Sequence, residues 1–268
     1  MLFRNSRRKL SQGLLFWREI GNGIPVVFLH GTWCDSSEWV SVMELIARDF
    51  HCFAPDLLGF GESEYPEIHH AIDLQVDCVF EFLQALKLEK VYLVGHSLGG
   101  WIAASCILKY PEKVQGLILL SPEGVDFEGL QKRWLKMRRL IGGPSFIFKI
   151  LEMFPLLARI FGWETKIKEV GEQRRILWEN PTGTQLLYQR QFPEIEAELL
   201  QDKLDLIQIP VLVLQGGKDA PDALKISKVY ARLTPQAELK IIAHGEDNLP
   251  LSCTSVVAEE IRDFIKKY

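Results

Sequence analysis

The sequence predicts an α/β protein, a mainly parallel sheet with helices on both faces and one long helical insertion. Three observations carry this. Short apolar runs alternate with segments of helical period along most of the 268 residues. Several of these runs, such as Pro25 to Leu29 and Ile209 to Leu214, are apolar without a break, as strands covered on both faces have to be. The alternation stops once, at Ser121-Pro122, and resumes near Ile207. Repeated strand–helix units imply right-handed crossovers and a parallel sheet.

The elements follow in order. Leu14 to Ile20 reads as a strand leading into the turn Gly21-Asn22-Gly23. Before it, Arg4, Arg7, Arg8 and Lys9 have no apolar signal core after them and read as a solvated basic tail. Pro25 to Leu29 is the next strand. A helix over Asp35 to Arg48 places Trp39, Val42, Met43 and Ile46 at helical spacing. His51 to Ala54 is a short strand, and a helix with Ile68, Ile72, Val76, Val79, Phe80 and Leu83 on one stripe follows it. Val91 to Val94 is a buried strand, Leu98 to Leu108 a helix and Val114 to Leu120 a strand. After the insertion come the strand Ile209 to Leu214, a helix over Asp222 to Leu233, the strand Glu238 to Ala243, and a last helix in which Val257, Ile261 and Ile265 recur every fourth residue. The core is thus expected over 1–121 and 208–268, with 122–207 as a helical insert.

Composition excludes several classes. Apolar residues make up 47% and charged residues 25%, so the chain has enough apolar side chains to pack a core. No apolar run approaches the roughly 18 residues that span a bilayer. A net charge of −4 gives no general attraction to nucleic acid or anionic lipid. Cys34, Cys52, Cys78, Cys106 and Cys253 are scattered and odd in number, which argues for free thiols in a reducing, cytoplasmic setting and against a zinc cluster.

Chemistry concentrates at Val94-Gly95-His96-Ser97-Leu98-Gly99-Gly100, between a buried strand and a helix. The pattern G-x-S-x-G there is that of a nucleophile elbow. The serine sits on a sharp turn, so the residues two before and two after it have to be small. The helix start aims the Leu98 N–H at a developing oxyanion. His30-Gly31-Thr32 closes the earlier strand and offers a second donor, Thr32 first and Trp33 as second choice; His30 itself reads as a structural hydrogen-bonder. In Pro55 to Ser63, Asp56 is expected to hold backbone donors of a glycine-bearing loop.

HGTW, APDLLGFGES, VGHSLGG and PVLVLQGGKD arrive in this order, each after a strand, and the chain resembles the α/β-hydrolase superfamily over its whole length. Esterases, C–C bond hydrolases, thioesterases and cofactor-free haloperoxidases are the members it looks most like. Haloalkane dehalogenases differ, having an aspartate where this chain has Ser97. The resemblance implies an eight-stranded sheet whose first pair is antiparallel, a helical lid after the sixth strand, and a triad in the order nucleophile, acid, histidine. Asp219 matches the family's acid after the buried strand, and Glu123 is an alternative acid, at a place some members use. Of six histidines only His244 follows Ser97, and it stands two residues past Ile242, closer to the strand than the family's histidine. Matching Leu249-Pro250 to the family's tail puts Asn248 or Asp247 in the histidine's place.

The expected activity is therefore serine hydrolysis of an ester, thioester or related acyl bond, with Ser97, Asp219 and His244 as triad and no metal or organic cofactor. The alternative is a ligand-binding or sensor protein on the same scaffold with a degraded triad. The insert's Trp134, Leu135, Phe146, Phe148, Phe154, Phe161 and Trp163 suggest a lid suited to a small, apolar acyl substrate, or simply packing of the lid onto the core. Its basic stretch, Lys132, Arg133, Lys136, Arg138, Arg139 and Lys149, is of a kind that can lie on a membrane surface, a reading diluted by Glu152, Glu164, Glu169 and Glu172. No nucleic-acid module accompanies it.

Overall fold

The computed structural model describes residues 2–142 and 164–268. Among these, β1 (Arg4–Lys9), β2 (Leu14–Gly21), β3 (Ile24–Leu29), β4 (Phe50–Pro55), β5 (Val91–His96), β6 (Val114–Leu120), β7 (Val211–Gly216) and β8 (Ala237–Ile242) form one sheet in the order β1-β2-β4-β3-β5-β6-β7-β8. The pairs β1/β2 and β2/β4 are antiparallel and all others parallel. A 3₁₀ turn, Ser36–Trp39, opens into α1 (Val40–Ile46); α2 (Ile72–Ala85) and α3 (Leu98–Lys109) follow. The helix expected from Ile68 begins four residues later, after Ala71 in an extended conformation.

The unbroken apolar strands are buried on two faces because side chains alternate along them. Val26, Phe28, Tyr92, Val94, Ile118, Leu120, Leu212 and Leu214 join one core cluster with Trp39, Met43 and Ile46 and with Val257, Ile261 and Ile265 of the last helix. Their neighbours Val27, Leu29, Leu93, Leu117, Leu119 and Val213 are equally buried and face the other way, where α3 packs on β3, β5 and β6 and on α2. Each such side chain contributes about 1.5–3 kcal/mol of burial.

The N-terminal segment departs from the expectation of a solvated tail. It is the edge strand β1, paired residue for residue with β2 from Arg4↔Glu19 to Lys9↔Leu14. Arg4 pairs with Glu19, Arg7 with Glu62, and Lys9 with Glu64 at 2.9 Å. A sheet edge tolerates, and is protected by, such charges, so β1 lacks the apolar alternation by which a strand is recognised.

The chain falls into two compact units, Met1–Phe127 with Glu196–Tyr268, and Glu128–Ile195. The ends of the expected 122–207 insert lie in the first, with Val125, Leu199, Leu200 and Leu204 buried. The second contains α4 (Leu130–Gly142), α5 (Glu164–Glu179) and α6 (Pro181–Thr184), and the start of α7 (Phe192–Ala197). Within it Arg138 lies 4.9 Å over the Trp134 ring and donates to the Arg190 carbonyl at 3.2 Å, while Trp134 stands 5.5 Å from Phe192. The apolar residues counted between 143 and 163, Phe146, Phe148, Phe154, Phe161 and Trp163 included, and the basic Lys149, lie outside the described residues. The first unit closes with α8 (Pro221–Leu233), α9 (Leu249–Ser252) and α10 (Thr254–Lys267). No helix among the described residues is long and apolar enough to cross a membrane.

Candidate active site

Strand order reverses between β3 and β5: the chain leaves β3 for β4 on one side and reaches β5 on the other. At such a switch point the loops after the strands diverge and leave a crevice at the strands' C-terminal ends. His30-Gly31-Thr32 and Ser97 end the two strands that flank it.

Ser97 has φ +50° and ψ −113°, in a region that side-chain-bearing residues rarely enter. The turn is held from all sides. Its N–H donates to the Leu120 carbonyl at 3.0 Å, and its carbonyl accepts from Gly100, Trp101 and Glu123 at 3.0, 3.2 and 3.1 Å. A Cβ at Gly95 would lie 2.4 Å from the Gly99 carbonyl oxygen, and one at Gly99 would lie 2.2 Å from that of Leu29. These are backbone contacts that cannot rotate away. Gly99→Ala is accordingly expected to destabilise the fold by about 3 kcal/mol, lowering the melting temperature by roughly 6–12 °C in calorimetry. An unchanged melting temperature would show that the elbow yields.

The hydroxyl of Ser97 is half-buried and hydrogen-bonds no described residue. Leu98 opens α3, so its N–H has no intrahelical acceptor. The Thr32 N–H is likewise unengaged by other backbone groups among the described residues. Thr32 is buried, whereas the Trp33 side chain is 40% exposed. Gly31 lies against the elbow: a Cβ there would stand 3.6 Å from Ser97 Cβ and 2.8 Å from His96 Nδ1. His30 is structural, accepting from the Leu57 N–H at 3.0 Å. Asp56 accepts from the Ser36 and Glu62 N–H groups, each at 2.7 Å.

Asp219 follows β7 and is half-buried. Its carboxylate accepts from Gln215 Nε2 at 2.9 Å and from the Ala220 N–H at 2.6 Å, and Gln215 in turn accepts from Ser227 Oγ at 2.6 Å. The turn after β8 is laced to this loop by Gly217 N–H to the Ile242 carbonyl, 2.8 Å, and Lys218 N–H to that of Gly245, 2.9 Å. His244 is exposed in that turn, and its imidazole hydrogen-bonds no described residue, Ser97 and Asp219 included. The residue of this segment that reaches the elbow is Asp247, whose carbonyl meets His96 Nε2 at 2.9 Å. Glu123, the alternative acid, adjoins the elbow through its backbone N–H on the Ser97 carbonyl.

Two side chains here were not singled out from the sequence. Glu38, 2% exposed, pairs with His96 Nδ1 at 2.6 Å and accepts from the Gly31 N–H at 3.0 Å. Burial alone would push the Glu38 carboxyl up, but the charge and hydrogen bond of His96 and the Gly31 N–H hold it below the usual carboxylate range. Gln215 is the other. Its signal is legible in retrospect, a polar residue near the end of the apolar run Val211 to Leu214. Burial, with the charges of Glu38, Asp35 and Asp247, pushes the Cys34 thiol up and so disfavours its thiolate form.

Residues 24–141 match the family model described as the alpha/beta hydrolase fold. A thermophilic esterase from Thermogutta terrifontis superposes at a TM-score of 0.75 with 25% identity, covering 98% of both chains. The chain is an α/β-hydrolase-fold protein. Over 134 residues it is 37% identical to a 2-hydroxymuconate semialdehyde hydrolase of Pseudomonas sp. strain CF600, spanning 45% of this chain and 47% of that protein. Over 123 residues it is 35% identical to a 2-hydroxy-6-oxo-2,4-heptadienoate hydrolase of Pseudomonas putida, spanning 43% and 45%. The chain thus spans about half the length of these relatives.

Proposed function

We propose that this chain is a serine hydrolase that cleaves an ester, thioester or related acyl bond of a small, largely apolar substrate through an acyl-enzyme. The observation that carries the reading is Ser97 itself, held at positive φ between glycines that admit no side chain, with the Gly31 turn packed against it. Strain of this kind persists only where the surroundings enforce it, and it lifts the hydroxyl clear of the sheet. The kinship with proteins named as hydrolases and an esterase points the same way.

In this mechanism Ser97 Oγ attacks the carbonyl carbon as its proton passes to His244. The oxyanion rests on the Leu98 and Thr32 N–H groups. His244 then protonates the leaving group, and a water it deprotonates hydrolyses the acyl-enzyme. Asp219 holds the His244 tautomer. The turn of residues 243–248 has to bring that imidazole within about 3 Å of Ser97 in the substrate complex, where catalytic hydrogen bonds tighten. Protein groups alone supply the chemistry. The apolar character of the substrate rests on the composition of the 122–207 insert read as a lid, and the free state of all five cysteines supports a cytoplasmic setting.

One observation favours a second reading, a ligand-binding protein without turnover: His244 bonds to neither partner, and Asp247 holds the place nearest the elbow. A panel of chromogenic acyl esters and thioesters of increasing chain length separates the two. Saturable turnover of the shorter members supports the hydrolase, and no turnover at any length supports the binder.

A further inference from the structure

The Glu38–His96 pair lies inside the site yet has no part in the triad chemistry. Glu38 belongs to the 3₁₀ turn before α1, His96 to the elbow, and the third member, the Asp247 carbonyl, to the turn after β8. Glu38 Oε2 also holds the Gly31 N–H of the turn that carries Thr32. Two groups therefore meet one imidazole, itself 7% exposed, and through Glu38 the Gly31 N–H joins them, so that four segments are linked.

The chemistry of that imidazole is constrained by its partners. Nδ1 faces a carboxylate and Nε2 faces a peptide carbonyl. Both are acceptors, and a neutral imidazole has only one N–H to give. Either neutral tautomer would set a ring lone pair against an oxygen lone pair. Placing the shared proton on Glu38 instead is disfavoured, because its carboxylate already accepts a backbone N–H and is much the stronger acid. The doubly protonated ring satisfies all contacts at once.

We propose that Glu38 and His96 are positioning residues of this site. His96, as a buried imidazolium, pins the turn after β8 to the nucleophile elbow, and Glu38 pins the oxyanion turn to the same point. This rests on the reading of Ser97 as nucleophile, whose geometry the pair fixes without touching substrate. Burial by itself would lower the His96 pKa, but the Glu38 charge and hydrogen bond and the Asp247 carbonyl raise it above the ordinary histidine value. The sign follows. The staple is complete below an unfolded histidine's pKa of about 6.5 and is lost as pH rises through the raised folded value. The titratable groups facing the pair are Asp247 from the turn after β8 and His30, Cys34 and Asp35 from the segment after β3.

The test is nitrogen-15 NMR of the histidine rings in the full chain, assigned with His96→Asn. At pH 7.5 both His96 nitrogens should resonate as protonated, with a titration midpoint above that of ordinary histidines, and Glu38→Gln should bring the midpoint to or below the ordinary range. In parallel, His96→Asn should lower kcat for a chromogenic acyl ester about 10- to 100-fold with KM changed little, and Glu38→Gln should move the alkaline limb of the kcat profile to lower pH. A neutral His96 at pH 7.5 overturns the proposal, as does an unaltered kcat in a folded His96→Asn variant. If His96→Asn does not fold, the wild-type and Glu38→Gln titrations decide it. A chain without turnover but with a doubly protonated His96 would overturn the hydrolase reading and leave the staple standing.

Discussion

Ser97→Ala is expected to lower acyl-ester turnover by about 10⁶-fold, the scale seen when the serine of a triad is removed, with the melting temperature unchanged or raised. The fold should survive because the elbow is held by backbone bonds of Ser97 and by the glycines around it, none of which uses the hydroxyl. That hydroxyl hydrogen-bonds no described residue, so its loss leaves no buried partner unsatisfied. Alanine also tolerates the left-handed backbone no worse than serine does. A kinetic assay in parallel with a thermal melt separates the two effects. Turnover within tenfold of the wild type would remove Ser97 from the chemistry.

His244→Ala is expected to cost a comparable factor, because a serine and its base act as one unit. The double variant, Ser97→Ala with His244→Ala, should then be no slower than either single one. This is the more demanding prediction, since His244 stands exposed on the turn after β8 and hydrogen-bonds neither Ser97 nor Asp219. It requires the His244 end of that turn to move: the backbone ties around His244 run to Gly217 and Lys218, while the Asp247 carbonyl at the other end meets His96 of the elbow. Unchanged turnover in His244→Ala, with Ser97→Ala inactive, would take the base from His244 and leave the nucleophile in place. The exposure of His244 also means that its substitution should not disturb folding, so a loss of activity can be read as chemistry.

Much of the fold was legible in the sequence because a parallel sheet is buried on both faces. Its central strands are therefore unbroken apolar runs, as Val26 to Leu29, Val91 to Val94 and Val211 to Leu214 all are. The edge was not legible. β1 is stabilised by backbone pairing and by ion pairs to Glu19, Glu62 and Glu64, residues distant in sequence, so nothing local marks it as a strand. The nucleophile elbow was legible because its constraint is local: Gly95 and Gly99 have to be small for the turn to close. Glu38 was not, because charged residues are seldom buried, and what buries this one is a histidine 58 positions away. The turn after β8 shows the same limit. Counting positions from the strand left Asp247, Asn248 and His244 in competition, and only the contact of the Asp247 carbonyl with His96 shows which part of the turn meets the elbow.

The central claim is that Ser97 is an activated nucleophile. Incubation of the intact chain with a fluorophosphonate, followed by peptide mapping in a mass spectrometer, addresses it directly, since the reagent reacts far faster with a serine whose hydroxyl is activated beside an oxyanion hole than with an ordinary one. One adduct on the peptide containing Ser97, absent from the heat-denatured chain, is the predicted result. A native chain that stays unlabelled, or that is labelled at another residue, would contradict it.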